Sequence, residues 1–277
     1  MDEHNSSEIG KSEAFYALYQ AVTNLSDEST PNPASLVGEV FDCNRSIGRG
    51  IEYDIARVTV ICIIMSYLFH DYKAALHYAD ICRPMVKALR LIYSYRIFLF
   101  FDALTSLSFA KCHPQDSTWV IKAKESISTQ RPLADGAKAN HQNKVFLLEA
   151  ELAAVQHNHK QAISCYQQAV SLSNEQGFLN EEALANERFG IYCLEQGFIQ
   201  NASDYLVNAY KCYKIWGARS KMSFLMRRYP FISEKLKDEN PDSPFELEVP
   251  HSIQDSIVSD VSVTSDKKMP AKKRCKR

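Results

Sequence analysis

The residues of this chain whose types could do chemistry are a few histidines, a thiol and a run of lysines. His157-Asn-His159 sets two imidazoles one residue apart, a spacing that can begin a zinc site, but no cysteine or carboxylate stands at ligand spacing beside them. Between two helical stretches this segment reads as a solvated polar turn. His70 and His77 lie seven apart and would share a face of one continuous helix, yet a polar break falls between them. Cys112-His113 ahead of Pro114 closes a helix, and nothing pairs the thiol with a base. The residues therefore nominate no catalytic group, no metal site and no cofactor, and the chain reads as a non-enzyme.

Charge is distributed unevenly. The net value over 277 residues is −1, but the last eleven residues hold seven bases and no acid, so removing those seven leaves −8 on the rest. An acidic body is a poor nucleic-acid grip, and contact with a polyanion is expected only through the tail. Within it, Lys272, Lys273, Arg274, Lys276 and Arg277 have the density of a nuclear import signal. Upstream, Ser252, Ser256, Ser259, Ser262, Thr264 and Ser265 alternate with acids, and phosphate there would mask the basic run.

The eight cysteines, never as CxxC, sit mostly among apolar helix residues and read as reduced core thiols. The first residues are acidic and polar, unlike a secretory or mitochondrial leader. Cys275, third from the end, misses the prenylation position. The longest apolar stretch, 58–69, is far below the roughly 20 residues of a membrane span. These features predict a protein with no membrane insertion, cytoplasmic by default, with the nucleus as the alternative.

The elements that must position any site are helices. Residues 1–50 read as a polar segment with one short helix at 13–25, where Phe15, Leu18, Tyr19 and Val22 recur at helical spacing, followed by a Pro/Gly-rich loop. Residues 51–230 show three- and four-residue apolar periodicity and no convincing strand. Two segments overlay without a gap: Phe146 through Ala169, and Asn186 through Ala209. Ala150 matches Gly190, Ala162 matches Ala202 and Ala169 matches Ala209, small residues where two helices approach closely. An earlier unit turns at Phe69-His-Asp-Tyr-Lys-Ala-Ala75, and a weaker one spans 95–130 around Ala123. The alanine markers step by 48, 39 and 40 residues. Four helix–turn–helix units predict an all-α, TPR-like stack of antiparallel helix pairs. Gly217 suits a helix C-terminus, Pro230 stops the final helix, and 231–277 reads as a disordered tail with a basic end.

The stretch 177–190, then Leu194-Glu-Gln-Gly197, Ala209 through Lys221, and Arg228-Tyr-Pro230, resembles the helical-repeat connector of large hybrid serine/threonine–histidine kinases that also carry a predicted AAA-type ATPase module. It covers 138–230 most specifically and extends toward 51. The resemblance implies a repeat fold and a signalling setting. It brings no enzyme with it, because the chain has no GxxxxGK[ST] loop, no glycine-rich kinase loop, no HRD and no DFG.

A stack of this kind is expected to bind a protein partner, such as a kinase or another signalling protein, along its first-helix face. Lys144, Leu147 and Glu151 in one unit, with Glu187, Ile191 and Glu195 in the next, are the predicted partner-binding residues. Their acidic and apolar character suits a basic or amphipathic segment, and the ordered Lys and Asn of a chaperone clamp are missing. Trp216 is expected to pack the end helix on the array, with a recognition anchor as the alternative. The leading expectation is a scaffold or regulatory adaptor in signal transduction. A nuclear or nucleic-acid-associated protein acting through its tail, and a fragment of a larger hybrid kinase, are the alternatives.

Overall fold

A computed structural model describes the backbone of residues 2–239 and the side chains of residues 13–238. The helices are α1 (Asp2–Ser26), α2 (Cys43–Ile47), α3 (Glu52–Leu68), α4 (Tyr72–Cys82), α5 (Tyr93–Cys112), α6 (Thr118–Gly136), α7 (Lys138–Val155), α8 (His159–Glu175), α9 (Leu179–Glu195), α10 (Ile199–Trp216), α11 (Arg219–Arg228) and α12 (Phe231–Glu239), with a 3-10 segment Arg83–Leu89 after α4. Among the described residues the sole β contact is an isolated bridge between Val37 and Asp42. None of these helices is long and apolar enough to cross a membrane. The residues through Leu236 form one unit and those from Lys237 a second.

The protein is all-α, with α3/α4, α5/α6, α7/α8 and α9/α10 packed as stacked pairs. Five of the connections share one turn. In each, the residue after a left-handed position donates its N–H back to a carbonyl five residues earlier: Asp71 to Ser66, Asn158 to Ala153, Phe178 to Ser173, Phe198 to Cys193 and Ala218 to Tyr213, all at 2.8–3.0 Å. This is the Schellman closure, which ends a helix and starts the next within three residues. Glycine takes the left-handed position at Gly177, Gly197 and Gly217, as expected for the last of them. His70 (φ 61°) and His157 (φ 59°) take it in the other two turns, where a side chain costs about 1–2 kcal/mol.

The marker residues lie where helices meet. Ala75, Ala123, Ala150, Ala162, Ala169, Ala202 and Ala209 are all fully buried. A Cβ at Gly190 would come within 2.6 Å of Leu206 Cγ, so glycine is what lets α9 and α10 close together. Tyr166 stacks on Phe189 at 5.0 Å, and Phe189 meets Tyr205 at 4.0 Å, joining α8, α9 and α10.

Three expectations change. The N-terminal helix runs from Asp2, well beyond 13–25, and α2 interrupts the predicted loop. Helix α12 follows Pro230, so 231–239 is helical rather than tail, while the expected disorder of the remainder lies outside the described residues. The stack is also not open along its first helices. Phe69 at the end of α3 meets Phe224 of α11 at 5.6 Å, and Ser220 of α11 donates to the carbonyls of Asn24 or Asp27, both at 2.6 Å. The last helices of the array are thereby fastened to its first.

Candidate functional site

The closure of the stack creates two unlike regions, one of paired charges and one apolar groove. The charged centre is assembled on α9, where Glu187 and Arg188 are consecutive and therefore point to different neighbours. Arg188 donates from Nε to Glu151 Oε1 at 2.7 Å and from Nη2 to Glu151 Oε2 at 3.1 Å, a two-pronged grip on α7. Its Nη1 donates to the Tyr72 hydroxyl of α4 at 2.8 Å, and the guanidinium stands 5.8 Å from the Tyr67 ring centre. Lys111 of α5 lies 3.3 Å from the same Glu151. On its other side, Glu187 accepts from Lys221 Nζ of α11 at 2.7 Å and from the Tyr213 hydroxyl of α10 at 2.8 Å. His70 Nε2 lies 2.8 Å from Glu187 Oε1. Lys221 also donates to the Leu68 carbonyl and stands 4.6 Å from the Phe224 ring centre.

These groups are sealed from water: Lys221 is 0 % exposed, Glu151 and Glu187 1 %, and Arg188 3 %. Burial alone would raise both carboxyls, but the groups around each overrule it. Lys221 and His70 hold Glu187 at about 2, and Arg188 with Lys111 holds Glu151 at about 2. Burial, then the Lys221 ammonium, pushes His70 down to about 4 against the pull of Glu187, so the imidazole is neutral at pH 7. Burial lowers Lys221 as well, and the Glu187 carboxylate opposes it. The His70–Glu187 pair has the appearance of an acid–base dyad, yet it is walled by Tyr72, stacked at 5.6 Å, and by Phe224, edge-on at 5.0 Å. The pair joins the α3/α4 turn to α9, a contact that offsets the cost of the left-handed position of His70.

The second region is apolar. A cavity of about 270 Å³ opens between α1, α3, α5 and α9, lined chiefly by Leu18, Val22, Leu25, Ile61, Ile64, Ile97, Phe100, Leu184 and Trp216. Lys144, Asn180 and Glu181 supply its polar edge, and Lys144 and Glu181 already neutralise each other at 2.6 Å. Helix α1 forms one wall with an inverted arrangement. It buries its small and polar side, Ala14, Ala17, Gln20, Ala21 and Asn24, and leaves Phe15, Leu18, Tyr19 and Val22 exposed. Asn24 explains the orientation: its Nδ2 donates to the carbonyls of Pro33 (3.2 Å) and Ser35 (2.8 Å), so this side of α1 must face the loop that follows it.

The six residues predicted to face a partner divide unevenly. Lys144, Leu147, Glu151 and Glu187 are buried, the charged ones paired within the chain; Ile191 is half-buried. Only Glu195, 3.2 Å from Lys111, is open to solvent. Lys272, Lys273, Arg274, Lys276 and Arg277 lie outside the described residues. Trp216 is 39 % exposed, lines the groove and lies 6.2 Å from the Tyr213 ring centre. His157 is exposed in its turn, and His159 Nδ1 meets the Tyr192 hydroxyl at 2.8 Å. Cys43, Cys62, Cys82, Cys165, Cys193 and Cys212 are free and buried, and Cys112 is exposed.

The exposed stripe on α1 was visible as spacing but not as orientation. One signal does exist in the sequence: residues 14–26 hold no charge, and its periodic side of alanines offers a second, smaller face that could be the buried one. The ion pairs also leave a trace, since Lys144–Glu181 and Glu151–Arg188 both span 37 residues and set cation against anion in opposite order, two helical turns apart. No family model matches the chain, and no curated protein and no solved structure matches it either.

Proposed function

We propose that this chain is a helical-repeat interaction module that holds another polypeptide in the apolar groove beside α1. The carrying observation is the run of large exposed apolar side chains on α1 bordering a 270 Å³ apolar cavity. A contiguous patch of that kind marks an interaction surface, and the groove suits the apolar face of a helix. The face first expected to bind is consumed by the chain's own ion pairs, so binding moves from the acidic first-helix positions to the groove. The non-enzymatic reading and the signalling setting, the latter resting on the resemblance to hybrid-kinase connectors, are part of the same proposal.

A photo-crosslinking residue at Tyr19, with one at the fully exposed Leu91 as control, tests it in cells. Crosslinks to a discrete species from Tyr19 alone support the groove. Equal crosslinking from both positions, or none from Tyr19, sinks it. The basic run Lys272–Arg274 and Lys276–Arg277 supports a second reading, a tail contact with import factors or nucleic acid, and removing residues 240–277 separates the two because it takes away the basic run and none of the groove residues named above.

A further inference from the structure

We infer that the occupant of the groove is a second copy of this chain, paired through α1 about a two-fold axis. The inference rests on the groove reading and adds the identity of what fills it.

The surface is self-complementary. Toward the N-terminal end of the stripe stands Phe15, 64 % exposed, which does not line the cavity. Toward the C-terminal end, Val22 and Leu25 form part of the cavity's wall. A knob and a hole therefore lie on one helix face, displaced along its axis. When two copies of α1 run antiparallel, the knob end of each lies against the hole end of the other. That is the reciprocal contact a two-fold interface requires, residue i on j and j on i. The hole is large enough, since an apolar cavity of about 150 Å³ already admits a benzene ring, and this one is about 270 Å³.

Charge permits the pairing. From Ala14 to Ser26 the helix holds no Asp, Glu, Lys, Arg or His, so the two-fold sets no like charges together along the stripe. Area permits it as well. With aromatic side chains burying 150–250 Å² each, the part-exposed Phe15, Tyr19 and Trp216 together with Leu18 and Val22 offer roughly 500 Å² per copy, so a dimer that covers all of them buries about 1,000 Å² in total, the lower bound for a specific interface. The pairing is accordingly reversible and dependent on concentration.

The test uses the full chain carrying Trp119→Phe, which leaves Trp216 at the groove as the single tryptophan. Light scattering over a concentration series is expected to show the mass rising from 31.5 kDa toward twice that value, with Trp216 emission moving to the blue in step. Leu18→Glu and Phe15→Glu, both at exposed positions, are expected to hold the mass at 31.5 kDa with an unchanged circular dichroism spectrum. A dimer insensitive to both substitutions overturns the inference. A monomer at every concentration also overturns it, and an amphipathic leucine–lysine helical peptide then separates the two levels. If the peptide shifts Trp216 emission in the monomer, the groove reading stands and only its occupant is wrong; if neither the peptide nor concentration shifts it, both fail.

Discussion

The charged centre and the apolar groove reverse the usual assignment of inside and outside. Glu187 and Lys221 meet where no solvent reaches, while Phe15 and Leu18 stand in water. The difference lies in what each region fixes within the fold. Buried ions are tolerated only when every charge has a partner, so the centre fixes how α3, α7, α9 and α11 register against one another. Exposed apolar side chains fix nothing within the fold, and they persist on α1 because its small face is the one that fits the neighbouring loop. One region specifies the structure, and the other is the surface on which the proposed contact rests.

The comparison breaks most readily at Lys221. Lys221→Met leaves Glu187 buried without its cation and is expected to cost about 3–5 kcal/mol in denaturant unfolding. Combining it with Glu187→Leu should recover a large part of that loss, since an apolar replacement of both partners removes the orphaned charge. A single substitution costing no more than a surface change would show that the centre is open to water.

Acid tests the same region next. The folded-state pKa of His70 lies at about 4, below the free value of 6.5. The unfolded chain therefore binds more protons in that window, and stability, full above pH 6.5, falls as pH drops toward 4, by something on the order of 3 kcal/mol. Glu151 and Glu187, held at about 2 against a free value of 4.5, extend the loss from 4.5 downward. His70→Asn, which tolerates the left-handed backbone, should erase the first phase and leave the second. Melting temperature against pH for the two proteins reads this directly.

Gly190→Ala is expected to cost about 1–2 kcal/mol, because the clash with Leu206 Cγ outweighs the gain in helix propensity. The two left-handed histidines give a smaller contrast. His157→Gly removes strain from an exposed turn and should stabilise by about 0.5–1 kcal/mol, whereas His70→Gly loses the contact with Glu187 and should destabilise. The smallest effect is expected on the exposed stripe of α1 beside the groove. Phe15→Ser should shift unfolding by under about 0.5 kcal/mol while weakening association, the signature of a side chain that stabilises nothing in the isolated chain.

Much of the fold was legible beforehand. Ala150, Ala162, Ala169, Ala202 and Ala209 marked close approaches and are buried, and Gly217 ends a helix in the left-handed conformation. The site was less legible. The repeat overlay set Glu151 beside Ile191 as equivalents, whereas its physical partner is Arg188, and equivalence between repeats says nothing of which side chains touch. Likewise Phe15, Leu18, Tyr19 and Val22 were recognised as one face of a helix, and the same spacing fits a buried or an exposed face.

What the residues determined by themselves was local: helix positions, turn chemistry and the small residues at crossings, all set by backbone preferences and by neighbours close in the chain. The tertiary structure alone decided which polar groups became the interior. His70 and Glu187 are 117 residues apart, and Lys221 and Leu68 are 153 apart. No periodicity encodes such a meeting. It arises because closing the stack brings α11 back to α3, and once water is excluded there, charge pairing rather than hydrophobicity governs which side chains remain inside.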